Sequence, residues 1–283
     1  MIDLHMHTNC SDGQFAPKET VRLAAAAGVT VMAVTDHDTI VGIPEAKAAA
    51  EQLGISFVSG IELSAKWDNE LHLLGYGIDC NNEALLAFCQ RHSEHRRKRG
   101  ERLVAYLTAQ GAAMTLEEVR QYNNGNASGR PHFARALVEK GYAASVQDAF
   151  ARYLTTPAYY QTVERKKPEP AVCIQRIHQA GGAAVLAHPY QLRQENEQLD
   201  KTVKELKEAG LDGIEAYYSL HTPAQTAFYC QLAKKYDLCI TCGSDYHGPA
   251  VKPEICLGTG KNNSLCVTDE GILPGLQMRF HGK

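Results

Sequence analysis

Apolar residues come in short runs separated by amphipathic stretches along most of the chain. The runs MIDLHM (1–6), VTVMAVT (29–35), ISFVSGIEL (55–63), LHLLGYGI (71–78), AAVLAH (183–188), GIEAYY (213–218) and LCITCGS (238–244) have the length and bounding turn residues of buried strands. Helical patterns lie between them. PKETVRLAAAAG places Pro17 in a first turn and Gly28 at a C-terminal cap, and IPEAKAAAEQLG, PAVCIQRIHQAGG, LDKTVKELKEAG and TPAQTAFYCQLAKKYD follow. Repeated β-then-α units of this length predict an α/β chain with a parallel sheet, most simply a closed barrel.

One stretch breaks the rhythm. Residues 82–163 read as consecutive helices with no strand between them. Thr115-Leu116-Glu117-Glu118 has the form of a capping box, and Gly141 is a stop after RPHFARALVEK. The predicted organisation is a barrel built from 1–81 and 164–283, with an all-helical insertion at 82–163 covering the barrel mouth.

Composition narrows the function classes. A net charge of −3 argues against a broad electrostatic surface for duplex DNA, and HRRKR (95–99) and ERKK (164–167) are expected to be solvated faces. Nine cysteines without framework spacing suit a reducing cytoplasm, with Cys239 and Cys242 expected as buried thiols. No apolar run of membrane-spanning length and no secretory leader is read, so neither a membrane span nor a signal peptide is expected.

Chemistry concentrates where barrel enzymes carry it, at the C-terminal ends of strands. Those ends hold His5, His7, Asp36-His37-Asp38, Glu62, His188, Glu215 and Asp245-Tyr246-His247, with Asp12 on the loop after the first strand. His5 and His7 share one face of an extended chain, and a hairpin through WDNE would return His72 beside Glu62. One strand histidine is an ordinary core residue; this many imidazoles and carboxylates around one spot are ligands for borderline divalent ions. The absence of cysteine from these positions favours Mn²⁺, Fe²⁺ or Zn²⁺ in a catalytic site over a closed structural zinc, with Glu62 able to bridge two ions. His92, His95, His178 and His281 lie away from strand ends and read as structural or surface residues.

In order, DLHMHTNCSDG, TDHDT, GIE, AHP and SDYHG resemble the motifs of the PHP (polymerase and histidinol phosphatase) family of metal-dependent phosphoesterases. The resemblance implies a distorted (β/α)₇ barrel. With the inserted GRPHFARAL, it points to the 3′,5′-nucleoside bisphosphate phosphatases, some of which also trim short RNA from its 5′ end. It further implies two to three divalent ions, Mn²⁺ first. One would be held by His5, His7, Glu62 and Asp245, a second by Glu62, His72 and His188, and a third by Asp12, His37 and His247. Arg130, His132 and His221 are expected to contact substrate phosphate, with Asp245, His247 and His221 serving catalysis. The favoured reaction is adenosine 3′,5′-bisphosphate to AMP and phosphate, with Tyr159, Tyr160, Tyr217 and Tyr218 offering base-stacking surfaces. The alternatives are a 5′-to-3′ exoribonuclease, a histidinol-phosphate-type phosphatase, an amidohydrolase acting on a C–N bond and a non-catalytic metal- or nucleotide-binding module.

Overall fold

The computed structural model describes residues 1–122, 129–163, 167–268 and 271–281. Seven strands form one sheet in sequence order: β1 (Ile2–Asp3), β2 (Val31–Val34), β3 (Ser56–Ala65), β4 (Leu71–Tyr76), β5 (Ala183–Leu186), β6 (Gly213–Tyr218) and β7 (Cys239–Gly243). Beyond β7 the sheet returns to the first strand. Leu4 N donates to Cys242 O at 3.0 Å, Asp245 N to His5 O at 2.7 Å and His7 N to Tyr246 O at 2.9 Å. The result is a nearly closed α/β barrel.

The purely parallel expectation needs correction at one strand. β4 runs antiparallel to both β3 and β5, while the other pairs are parallel. The short turn at 66–70 leaves no room for a crossover helix, so the chain folds back as a hairpin. His72 thereby pairs with Ser64 and its ring meets Glu62, as the hairpin reading anticipates.

Outside the sheet lie α1 (Pro17–Ala26), α2 (Ile43–Leu53), α8 (Pro170–Gln179), α9 (Asn196–Glu208), α10 (Pro223–Lys235) and α11 (Ile272–Gln277). α1 begins on Pro17, and Gly28 follows its end with φ 84°. Their apolar stripes pack on the sheet through Val21, Ile43, Ile174, Val203 and Leu232. Tyr76 is fully buried, and its hydroxyl donates to Leu4 O across the barrel at 2.9 Å.

Between β4 and α8 the described chain holds α3 (Glu83–Ala109), α4 (Leu116–Arg120), α5 (Arg130–Glu139), α6 (Val146–Ala149), a π-helical turn (Phe150–Leu154) and α7 (Pro157–Val163). Thr115 and Glu118 cap α4 reciprocally. Gly141, with φ 74°, ends the turn after α5. Leu103, Leu107, Phe133, Leu137, Leu154 and Val163 form a hydrophobic cluster of their own, while Leu85 and Phe88 of the same α3 belong to the barrel's cluster. One 27-residue helix, about 40 Å long at 1.5 Å per residue, therefore joins the two. The basic run sits on this helix. Arg97 pairs with Glu101 and Lys98 with Glu94, as on an ordinary solvated face. Ser128, a candidate cap for α5, and Glu164, Arg165 and Lys166 of the second basic run lie outside the described residues. Among the described residues, no helix is long and apolar enough to cross a membrane.

Candidate metal centre

Glu62 is the hub of the barrel mouth. It is fully buried near the end of β3, and five imidazoles surround its carboxylate. Oε1 takes His72 Nδ1 at 2.8 Å and His188 Nε2 at 2.9 Å. Oε2 lies 3.1 Å from His7 Nε2, 3.1 Å from His37 Nδ1 and 3.4 Å from His5 Nε2. Burial opposes its ionisation, but the surrounding imidazoles hold it well below the usual carboxylate range.

His5 and His7 point the same way, with Nε2 atoms 3.3 Å apart. Asp245 Oδ1 lies 3.3 Å from His7 Nε2 and 3.7 Å from His5 Nε2. Asp12 reaches His7 Nδ1 at 3.5 Å, His37 Nε2 at 3.7 Å and His247 Nε2 at 3.4 Å. All nine residues of the expected ligand set are thus brought together. His7 lies in both the Asp245 group and the Asp12 group.

A further layer aims these side chains. Glu215 holds His5 Nδ1 at 2.9 Å through one oxygen and the His188 amide at 2.7 Å through the other. Asp36 accepts from Thr8 N, Thr8 Oγ1 and Ser11 Oγ at 2.6–2.8 Å, pinning the loop that carries Asp12. Asp38 accepts from Ser64 N at 3.0 Å. Asp245 Oδ2 is taken by Tyr218 Oη at 2.7 Å and Lys252 Nζ at 2.6 Å, leaving Oδ1 for the histidines. Asp38, His188 and Asp245 have φ of 54°, 25° and 58°, left-handed backbone that costs non-glycine residues energy and gathers where geometry is imposed by function.

The donor set fits divalent cations. Glu62 Oε2 and His37 Nδ1 are buried 3.1 Å apart, yet among the described residues neither makes a hydrogen bond, so both face a common space. His37 is pushed down to about 3 by burial, which keeps its imidazole neutral and able to ligate. On His7 burial opposes the charge, but Asp245 and Glu62 raise it to about 9. Two buried carboxylates, with half-buried Asp12 beside them, therefore draw positive charge into the mouth. His7, Asp12, His37 and His247 each offer an atom within 4.8 Å of the others, as do His5, Glu62 and His188, and His37, Glu62 and His72.

Arg130 opens α5 and its Nη2 donates to Glu70 Oε1 at 2.6 Å, while Glu70 Oε2 lies 3.3 Å from His72 Nε2 and 3.3 Å from Lys167 Nζ. His132 is buried, and its Nδ1 accepts the Gly129 amide at 2.9 Å, which puts the ring proton on Nε2. His221 lies after β6, with Nδ1 donating to Ala216 O at 3.0 Å and Nε2 unpartnered. Burial pushes it down to about 4, so the ring is neutral and Nε2 accepts. Tyr218 is buried with its hydroxyl on Asp245, so it belongs to the centre and offers no stacking face for a base. Tyr159 is buried in the helical cluster, whereas Tyr160 is exposed.

The profile of the PHP domain family matches residues 3–255. The chain belongs to the PHP family. Across 264 residues it is 34% identical to a 5′-3′ exoribonuclease of Haemophilus influenzae, covering 93% of this chain and 94% of that protein. Across 252 residues it is 34% identical to a 3′,5′-nucleoside bisphosphate phosphatase of Chromobacterium violaceum, covering 88% and 87%. A solved structure from Bifidobacterium adolescentis, described as a candidate metal-dependent phosphoesterase, superposes with a TM-score of 0.81 at 30% identity, covering 99% of this chain and 96% of that one.

As a PHP protein the chain is a phosphoesterase of the hydrolase class, and its His/Asp/Glu clusters, like the metal dependence in that neighbour's description, point to divalent metals. Sequence reasoning missed Lys252, which lies seven residues past Asp245 on a loop with no motif to mark it. It also missed Glu70, inside the polar turn WDNE.

Proposed function

We propose that this PHP phosphoesterase removes the 3′-phosphate from nucleoside 3′,5′-bisphosphates, with adenosine 3′,5′-bisphosphate giving AMP and phosphate. The observation that carries the reading is the link Arg130–Glu70–His72, which sets a guanidinium one carboxylate away from the Glu62 cluster. A substrate with two phosphates needs two anion sites in fixed relation, one at the cluster and one beside it.

His5, His7, Glu62 and Asp245 would hold one divalent ion, Glu62, His72 and His188 a second, and Asp12, His37 and His247 a third, with Mn²⁺ the preferred metal. Bound there, such ions neutralise phosphoryl oxygens and lower the pKa of water. The chain's own residues do the rest. Glu62 joins the groups through its two oxygens. Glu215, Tyr218 and Lys252 fix His5 and Asp245 in orientation. Arg130, whose Nη2 meets Glu70, and His132 bind the second phosphate. Neutral His221 accepts a proton or hydrogen bond at Nε2. Nine cysteines spread without framework spacing suit the reducing cytoplasm proposed as its compartment.

The exoribonuclease relative supports a second reading, release of nucleotides from the 5′ end of short RNA. Phosphate and nucleotide release with Mn²⁺ separates them. Substrates would be 3′-, 5′- and 3′,5′-phosphorylated nucleosides and a 5′-phosphorylated RNA trimer. Turnover confined to the trimer would overturn the bisphosphate reading, and none on any substrate with metal bound would overturn both.

A further inference from the structure

Two histidines that the sequence marks only as structural or surface residues meet at the other end of the barrel. His178 lies in the last turn of α8, Asp212 directly precedes β6, and His281 follows α11. Asp212 Oδ2 is 2.7 Å from His178 Nε2, and Oδ1 is 3.3 Å from His281 Nε2. The two rings lie against each other, tilted by 32°, with centroids 3.9 Å apart. Each of the three residues offers a donor atom within 4.8 Å of the other two. Asp212 is at the N-terminal end of β6, whereas His188 follows the C-terminal end of β5, so this cluster and the Glu62 centre occupy opposite ends of the strands.

The cluster is built in. Asp212 is oriented by the Ala184 amide at 2.8 Å, and the His281 amide donates to Gly181 O at 2.9 Å. The two residues before His281 are fastened as well. Arg279 forks onto Asp237 at 2.8 and 3.1 Å, and the Phe280 ring fills the space over Gly77 that a Cβ would need. Beside the cluster opens a depression of about 620 Å³ lined by His178, His281, Gln175 and Gln179, which leaves one side accessible to solvent.

We propose that His178, Asp212 and His281 form a second divalent-metal site, of the Zn²⁺ class, that clips the C-terminal segment to the base of the barrel. Two imidazole nitrogens and one carboxylate oxygen, with a fourth position open, make a donor set that Zn²⁺ accepts. Ligand atoms on a tetrahedral ion with bonds of about 2.0–2.1 Å stand about 3.3 Å apart. The His281–Asp212 pair already has that spacing, and the 2.7 Å His178–Asp212 contact needs only a small rotation to open. Both rings turn Nε2 to the one Asp212 carboxylate while lying 3.9 Å from each other, so the nitrogens share a common front. The ion there stabilises the fold and takes no part in turnover.

The test counts ions and follows melting in the full chain. Wild type, His281→Ala and His178→Gln are stripped with chelator, given Zn²⁺, passed through a desalting column and assayed by elemental analysis. Wild type should retain one Zn²⁺ per chain more than either variant. Zn²⁺ at a hundredfold over its Kd should raise the wild-type Tm by roughly 5 °C more than that of the variants. Phosphate release with Mn²⁺ should stay within about twofold in all three, which separates this site from the centre at the mouth. His281 is exposed and lies outside the strands and helices, so its loss leaves the barrel intact. Equal ion counts and equal Tm responses in wild type and His281→Ala would overturn the proposal.

Discussion

Arg130 Nη2 donates to Glu70 Oε1 across 2.6 Å, and the other oxygen of Glu70 lies 3.3 Å from His72 Nε2. One carboxylate therefore joins helix α5 to a residue of the Glu62 cluster. The joint predicts two separable defects. Arg130→Ala removes a charge-assisted contact of about 1.5–3 kcal/mol and should lower kcat/KM for the bisphosphate roughly 10–100-fold, with Mn²⁺ affinity unchanged. Glu70→Gln loosens His72 and should weaken Mn²⁺ retention by about tenfold. Steady-state kinetics beside a metal titration distinguishes them; an unchanged kcat/KM in Arg130→Ala would refute the phosphate role.

Asp245 is held by Tyr218 and Lys252 on Oδ2, so that Oδ1 faces His5 and His7. Orienting partners of this kind are worth about 10–100-fold in metal affinity. Lys252→Met and Tyr218→Phe should each weaken Mn²⁺ binding by about tenfold or more while the far-UV spectrum is preserved. Competition with a fluorescent chelator gives the affinities, and wild-type values in both variants would show that Asp245 needs no such support.

Metal removal should silence the enzyme. Loss of several kcal/mol of charge stabilisation corresponds to at least about 10³-fold in rate. Chelator should therefore abolish phosphate release, and Mn²⁺ should restore it in wild type. His7→Ala should stay inactive at any Mn²⁺ concentration, because His7 contributes to two of the four-residue and three-residue groups at the mouth. Full activity after chelation and desalting would sink the metal reading.

The cluster was legible in the sequence because barrel strands end in side chains that share one mouth. His5, His7, His37, Glu62, His188, Asp245 and His247 each sit at such an end, and together they needed no three-dimensional information to be grouped. The hairpin that returns His72 was legible too, since WDNE is a turn too short for a crossover helix. Lys252 and Glu70 were not, because they act from irregular segments whose path is set by packing rather than period. Tyr218 was misjudged for a related reason. Plain alternation from Glu215 points Tyr217 inward, whereas the bulge between Glu215 and Tyr217 shifts the phase and Tyr218 is the residue whose hydroxyl meets Asp245. The pairing of His178 with His281 spans 103 positions through a C-terminal segment that carries no pattern at all.

His221 predicts a pH dependence of stability. Its folded pKa is about 4, lowered by burial from the ordinary 6.5. As pH falls below 6.5 the unfolded chain takes up this proton first, so stability is lost between about pH 6.5 and 4 and is fully present above. The shift corresponds to about 2 kcal/mol lost between pH 7 and 5. Urea unfolding of wild type and His221→Gln at both pH values isolates the contribution: the wild type should lose about 2 kcal/mol more than the variant. Parallel losses would show that His221 titrates normally in the fold.

Gly243 marks the closest approach of β7 to the first strand's continuation. A Cβ at this position would meet the Cβ of His5, lie 2.7 Å from the His5 backbone nitrogen and 2.9 Å from Glu215 Oε1. All three are buried, and Glu215 fixes the His5 ring, so the neighbour has nowhere to yield. Gly243→Ala should therefore cost about 1–3 kcal/mol of stability through overpacking. It should also displace His5 from its place beside His7, lowering Mn²⁺ affinity by more than about tenfold. Ala183, fully buried at the end of β5 away from the mouth, offers the control: Ala183→Gly loosens packing far from His5, and its stability loss should come with metal affinity much nearer wild type. Differential scanning calorimetry with a metal titration reads both quantities. A Gly243→Ala protein that melts lower yet binds Mn²⁺ as tightly as wild type would show that the strand contact serves the fold alone.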